Sequence, residues 1–175
     1  MLLESHTRYT FNFTNDVQFG DIPLDILYDI FKDGRITSEL LSHTFARRFD
    51  GLTYVDKQGY DFIHVTHGMI EQKQVTKSGL KFAPSRMIGA GRKVTYDEVV
   101  DHIVDNDLQF LLADITSFPI ITSLLIPGLT LLDNCSNRTC SFTYNNAIRI
   151  FNYAIESKEE QPESGHCLHA GTSGD

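Results

Sequence analysis

The chain has 175 residues and a mass of 19.8 kDa, with 41% hydrophobic and 22% charged residues, which suits one packed domain better than two. Acidic residues outnumber basic ones 23 to 15, and the net charge of −8 argues against a protein that coats nucleic acid or an anionic membrane with its whole surface. The longest apolar stretch, Phe110 to Leu132, is broken by Asp114, Pro119 and Pro127, so no membrane-spanning segment is expected.

Leu24 to Phe31 predicts a short helix with Leu24, Leu27, Tyr28 and Phe31 on one face. Asp33-Gly34 interrupts it. Ile36 to Phe49 predicts a second helix, with an apolar stripe of Ile36, Leu40, Leu41, Phe45 and Phe49, and Asp50-Gly51 ends it. Leu52 to Val55 reads as a strand and Asp56-Lys57-Gln58-Gly59 as a turn. Tyr60 to Val65 and Met69 to Val75 read as two strands joined by Thr66-His67-Gly68. A basic loop follows. Thr95 to Asp105 predicts a helix, with Thr95 three residues before Glu98 as a capping box. Leu108 to Ile115 is nearly continuous apolar sequence and predicts a buried central strand, followed by one more strand at Ser123 to Ile126. The order from Ile36 is helix, three strands, helix, strand: an α/β fold with a central mixed sheet flanked by helices. The domain is expected over residues 1–155, with its core at about 36–126 and a polar, flexible tail at 156–175.

The chemistry lies in the paired strands. With a connection at 66–68, Val65 faces Met69, Ile63 faces Glu71 and Asp61 faces Lys73. Strand side chains alternate, so Asp61, Glu71 and Lys73 share one face, with opposed residues about 5 Å apart. A slip of one residue sends Asp61 to the other face. Two carboxylates are hard oxygen ligands suited to Mg²⁺, with Mn²⁺ as a substitute, and such an ion polarises a phosphoryl group and makes a bound water more acidic. A lysine beside them can orient the water or steady charge on phosphorus. Asp56 is the second choice for the first metal ligand. The simplest alternative is a surface hairpin with an ordinary Asp61–Lys73 salt bridge.

These residues resemble the PD-(D/E)XK nuclease superfamily, the restriction-endonuclease-like fold with an αβββαβ core. Its signature places an acid at the start of the second strand and Glu-x-Lys in the third, here Asp61 and Glu71-Gln72-Lys73. The residue before Asp61 is Tyr60 rather than proline. The resemblance implies a metal-dependent DNA endonuclease of restriction or homing type, with Asp61 and Glu71 on the metal and Lys73 in catalysis. It also implies a further acid from the first core helix, for which Glu39 is the match. The alternative function is a catalytically inactive relic or inhibitor on the same fold that binds DNA or protein.

Between Gln72 and Tyr96 there is no acidic residue, and six of the 15 basic ones fall there. This strip is expected to hold double-stranded DNA, with Lys77, Lys81, Lys93 and Ser85 on phosphates and Arg86 and Arg92 on base edges. One small domain covers little duplex, so a homodimer or higher homo-oligomer is expected. Met1-Leu2-Leu3 runs directly into Glu4, Ser5 and His6, which reads as a cytoplasmic protein of a microbe or virus. His64 falls on the opposite side of its strand from Asp61 and is expected to be structural. Cys135 and Cys140 lack a second ligand pair of zinc spacing, and His166, Cys167 and His169 sit in the tail. Phe142, Tyr144, Phe151 and Tyr153 are expected in the core or at a subunit interface.

Overall fold

Alternation along the strands sorts the apolar side chains onto two faces of one mixed sheet. The computed structural model describes residues 1–13, 23–31, 34–57, 59–84, 94–135 and 138–156. Its elements are β1 (Thr7–Asn12), α1 (Leu24–Phe31), α2 (Gly34–Arg48), β2 (Leu52–Lys57), β3 (Tyr60–His64), β4 (Gly68–Val75), β5 (Leu80–Lys81), α3 (Tyr96–Asp105), β6 (Gln109–Asp114), β7 (Ile120–Pro127), α4 (Gly128–Asn134), β8 (Ser141–Phe142), α5 (Tyr144–Asn152) and β9 (Ile155–Glu156). The expected order of helix, three strands, helix, strand runs from α2 to β6, with the short β5 inserted before α3.

Seven strands lie in the order β2-β3-β4-β6-β7-β1-β9, and β5 pairs with β8 in a separate ribbon. β2, β3 and β4 form an antiparallel meander. β4 and β6 run parallel, with Glu71 opposite Phe110 and Lys73 opposite Leu112, and α3 makes the crossover between them. β6 is the fourth strand of seven, which accounts for the continuous apolar character of its sequence.

One face carries Phe62, Ile70, Leu111 and Leu125 and packs on Phe31 of α1 and Leu41 and Phe45 of α2. The other carries Val75, Phe110, Leu112 and Ile126 and packs on Val99 and Ile103 of α3, Leu131 of α4 and Phe151 of α5. α3 begins at the expected capping box, with Thr95 and Glu98 bonded reciprocally. Ile36, expected in the α2 stripe, is 48% exposed, and its neighbour Thr37 is buried in its place. Of the late aromatics Phe142 and Phe151 are buried and Tyr153 is exposed. Glu156 belongs to the sheet rather than to the tail, since its backbone pairs with Arg8 in β1. No helix among the described residues is long and apolar enough to cross a membrane.

The hairpin register differs from the sequence expectation. His64 pairs with Gly68, Ile63 with Met69 and Phe62 with Ile70, so the connection is Val65-Thr66-His67. Gly68 takes a left-handed backbone at φ +68 and starts β4. The shift is two residues, and a two-residue shift preserves side-chain alternation. Asp61 therefore stays on the face of Glu71 and Lys73.

Candidate active site

β4 outruns β3. The ladder between them stops at Phe62 and Ile70, and beyond it Gln72 gives its backbone N–H to Asp61 Oδ2 at 2.7 Å. A side chain thus replaces the strand partner where β3 leaves β4. This contact holds the Asp61 carboxyl beside the segment that carries Glu71 and Lys73.

Ile70 and Gln72 face α2, so Glu71 and Lys73 face the α3 side. Glu71 is fully buried, and Lys73 Nζ lies 2.8 Å from its Oε1, with the lysine side chain 13% exposed. The simple alternative of a surface hairpin does not describe this group, because Lys73 pairs with a fully buried glutamate. Burial, then the neighbouring Glu71 charge, pushes the Asp61 carboxyl up from 3.8 to about 6, against the pull of the Gln72 N–H and Lys73.

The middle residue of Glu-x-Lys has its own task. Gln72 is buried on the α2 side, where its amide donates to the Ser38 carbonyl at 3.3 Å and accepts from Ser42 Oγ at 3.2 Å. The anchor locks the β4 backbone to α2 and so fixes the N–H that holds Asp61. Gln72, Ser38 and Ser42 were not singled out in the sequence. The available signal was a polar residue at the position of the strand that alternation puts on the face of Ile70, opposite Glu71 and Lys73.

Glu39 is exposed on α2, and its charge acts on the Tyr54 hydroxyl of β2. Tyr54 was also missed. Burial, then the charges of Glu39, Asp56 and Asp61, raises its hydroxyl pKa. Asp56 is exposed in the β2 irregularity, with φ +43, and its charge also acts on Asp61. The structure thus brings Asp61, Glu71 and Lys73 together, and sets Glu39 and Asp56 around Tyr54 at the edge of that group.

His64 is buried and structural, as expected. Its Nδ1 lies 3.2 Å from the backbone N–H groups of Thr66 and His67, and its Nε2 lies 3.0 Å from the Asp50 carbonyl. It therefore ties the hairpin turn to the end of α2. Burial, then the His67 charge, holds its pKa below the ordinary value. Cys135 and Cys140 are buried free thiols, and burial pushes Cys140 up to about 11. His166, Cys167 and His169 lie outside the described residues.

Of the expected DNA contacts, Lys77 is exposed in the tight turn after β4 and Lys81 is exposed on β5. Ser85, Arg86, Arg92 and Lys93 lie outside the described residues.

Among the described residues no group of three or more His, Cys, Asp or Glu side chains is gathered closely enough to hold a metal ion. The Asp61–Glu71 pair nevertheless suits a hard divalent cation. The two carboxyls repel each other in a largely buried setting, a cation between them relieves that repulsion, and Mg²⁺ keeps several waters and needs only one or two protein carboxylates. No protein-family model matches the chain, and no curated protein or solved structure is significantly similar to it.

Proposed function

We propose that the protein is a metal-dependent DNA endonuclease with a restriction-endonuclease-like core, running from α2 to β6. One observation carries the reading: Asp61 is held by the Gln72 N–H where β3 leaves β4, beside the buried Glu71–Lys73 pair. Asp61 and Glu71 would hold Mg²⁺ or Mn²⁺. Such an ion would supply charge neutralisation at a phosphate and a more acidic water.

Lys73 is the cation of the three. Its ammonium lies 2.8 Å from Glu71 Oε1 on a side chain that is 13% exposed, and it can neutralise charge on a phosphate oxygen or orient the attacking water. Gln72 and its α2 anchors keep Asp61 from turning away. Lys77 and Lys81 follow β4 directly and extend positive charge along the path of a bound backbone, and double-stranded DNA is the substrate that fits this strip. Cutting both strands calls for two such sites, so a homodimer on DNA belongs to the same proposal.

The test is incubation of the full chain with supercoiled plasmids of varied sequence in Mg²⁺ and in Mn²⁺. The expected result is nicked and linear product, lost in Asp61→Asn and Glu71→Gln while DNA binding in Ca²⁺ persists. Plasmids left intact in both metals would overturn the proposal. DNA binding without cutting would favour the inactive relic instead.

A further inference from the structure

β7, α4, α5 and the segment before β1 border a cavity of about 490 Å³ on the α3 side of the sheet. It lies at β7, two strands across from β4 and the Asp61–Glu71 group. Each element lines it at its own period. β7 gives Leu124 and Ile126, two residues apart on one strand face. α4 gives Thr130 and Asn134, one turn apart, while Leu131 and Cys135 beside them go to the core. α5 gives Asn146, Arg149, Ile150 and Tyr153, while Ala147 and Phe151 go to the core. The two helices thus anchor themselves with one stripe and leave the adjoining stripe to the cavity.

Polarity is sorted by depth. Leu124, Ile126 and Phe142 are buried and form the floor. Asn134, Asn146, Arg149 and His6 are exposed and form the rim. An apolar bottom with a few polar groups at one end, in this volume, is the make-up of a small-molecule site. His6 takes a left-handed backbone at φ 59, held by its N–H to the Leu125 carbonyl at 2.8 Å. Non-glycine residues seldom take that conformation, and it is retained most often where a ligand or reaction uses the side chain. The charge of the lining runs against that of the chain. The net charge is −8, yet the described residues that line the cavity include Arg149 and His6 and no Asp or Glu. Arg149 makes no ion pair among the described residues. A guanidinium grips a carboxylate with two parallel hydrogen bonds. A single arginine offsets one negative charge, which suits a carboxylate better than a doubly charged phosphate monoester.

We propose that this cavity binds a small monocarboxylic acid with an apolar body. Leu124, Ile126, Phe142 and Ile150 take the body, and Arg149 takes the carboxylate, with Asn146 and His6 beside it as hydrogen-bond donors. The site is separate from the Asp61 group and does not depend on the nuclease reading.

The test is titration of the full chain with octanoate, octanamide and octyl phosphate, followed by calorimetry and by amide NMR. Octanoate should bind with a sub-millimolar dissociation constant and shift the amides of Leu124, Ile126, Ile150 and Ala154, leaving those of Asp61 and Gln72 in place. Octanamide has the same body without the charge and should bind about tenfold more weakly. Arg149→Gln should weaken octanoate about tenfold and leave octanamide within about twofold of wild type. Arg149 is exposed, so the variant should unfold at the wild-type temperature without ligand. No shift at the cavity amides, equal binding of octanoate and octanamide, or octanoate bound undiminished by Arg149→Gln would each overturn the proposal. Octyl phosphate binding about tenfold tighter than octanoate at the same amides would overturn the carboxylate assignment.

Discussion

Asp61→Asn separates stability from function at a single side chain. The folded protein holds the Asp61 proton to about pH 6, against 3.8 for an ordinary aspartate. Two pH units correspond to about 3 kcal/mol between the protonated and ionised forms. Well below pH 3.8 both folded and unfolded chains carry the proton, and Asp61 costs the fold nothing. Between pH 4 and 6 the folded state binds more protons than the unfolded state, so stability falls as pH rises. Above pH 6 the full cost of about 3 kcal/mol remains, set by burial and by Glu71. Asparagine is neutral throughout and keeps an oxygen for the Gln72 N–H. Urea unfolding in chelator should therefore show the variant more stable by up to about 3 kcal/mol at pH 8, or roughly 6–12 °C in Tm, with the gap closing toward pH 4. Saturating Mg²⁺ should raise the stability of wild type and leave the variant little changed. A variant no more stable than wild type at pH 8, or a gap independent of pH, would refute the electrostatic account of this pair.

Other side chains give independent checks. Lys73→Ala strands the buried Glu71 and should cost about 3 kcal/mol in urea unfolding, whereas Glu71→Gln should cost less because the flexible lysine keeps Asp61 as a charged neighbour. Equal losses would argue against the ion pair. In Gly79→Ala the new Cβ would sit 2.1 Å from the Phe142 carbonyl oxygen, at φ +108. That change should cost about 2 kcal/mol or more and detach β5 from β8, read as lost amide protection at Leu80 and Phe142. His64 should titrate below 6.5 by proton NMR, and its contribution to stability should be present above pH 6.5 and decline as pH falls, since the unfolded chain takes the proton first. A His64 titration above 6.5 would contradict its acceptor role in the turn.

Local pattern determined much of this protein. The 3.6-residue period of α2 and α3, the alternation of β3 and β4, and the apolar run of β6 are short-range consequences of side-chain polarity, and each element forms where its pattern lies. β1 was legible in the same way, since Thr7, Tyr9 and Phe11 are buried in alternation, but the signal was passed over. Hairpin register was not legible, because a three-residue connection at 65–67 and one at 66–68 leave the same alternation. Asp61 kept its face only because the difference was two residues rather than one. Glu-x-Lys marked two of the site residues, but it carried no sign that Glu71 would be buried completely or that Lys73 would be its partner. Those facts follow from the layers that α2 and α3 place on either side of β4, contacts between residues tens of positions apart. The positions of Gln72, Ser42 and Tyr54 are of the same kind: a hydrogen bond over 30 residues and a ring between a helix and a strand exist only once the sheet has closed. Sequence determined which groups of the site are present and on which face they lie; tertiary packing decided their charge state, their partners and the edge at which they meet, because burial and proximity belong to the folded chain as a whole.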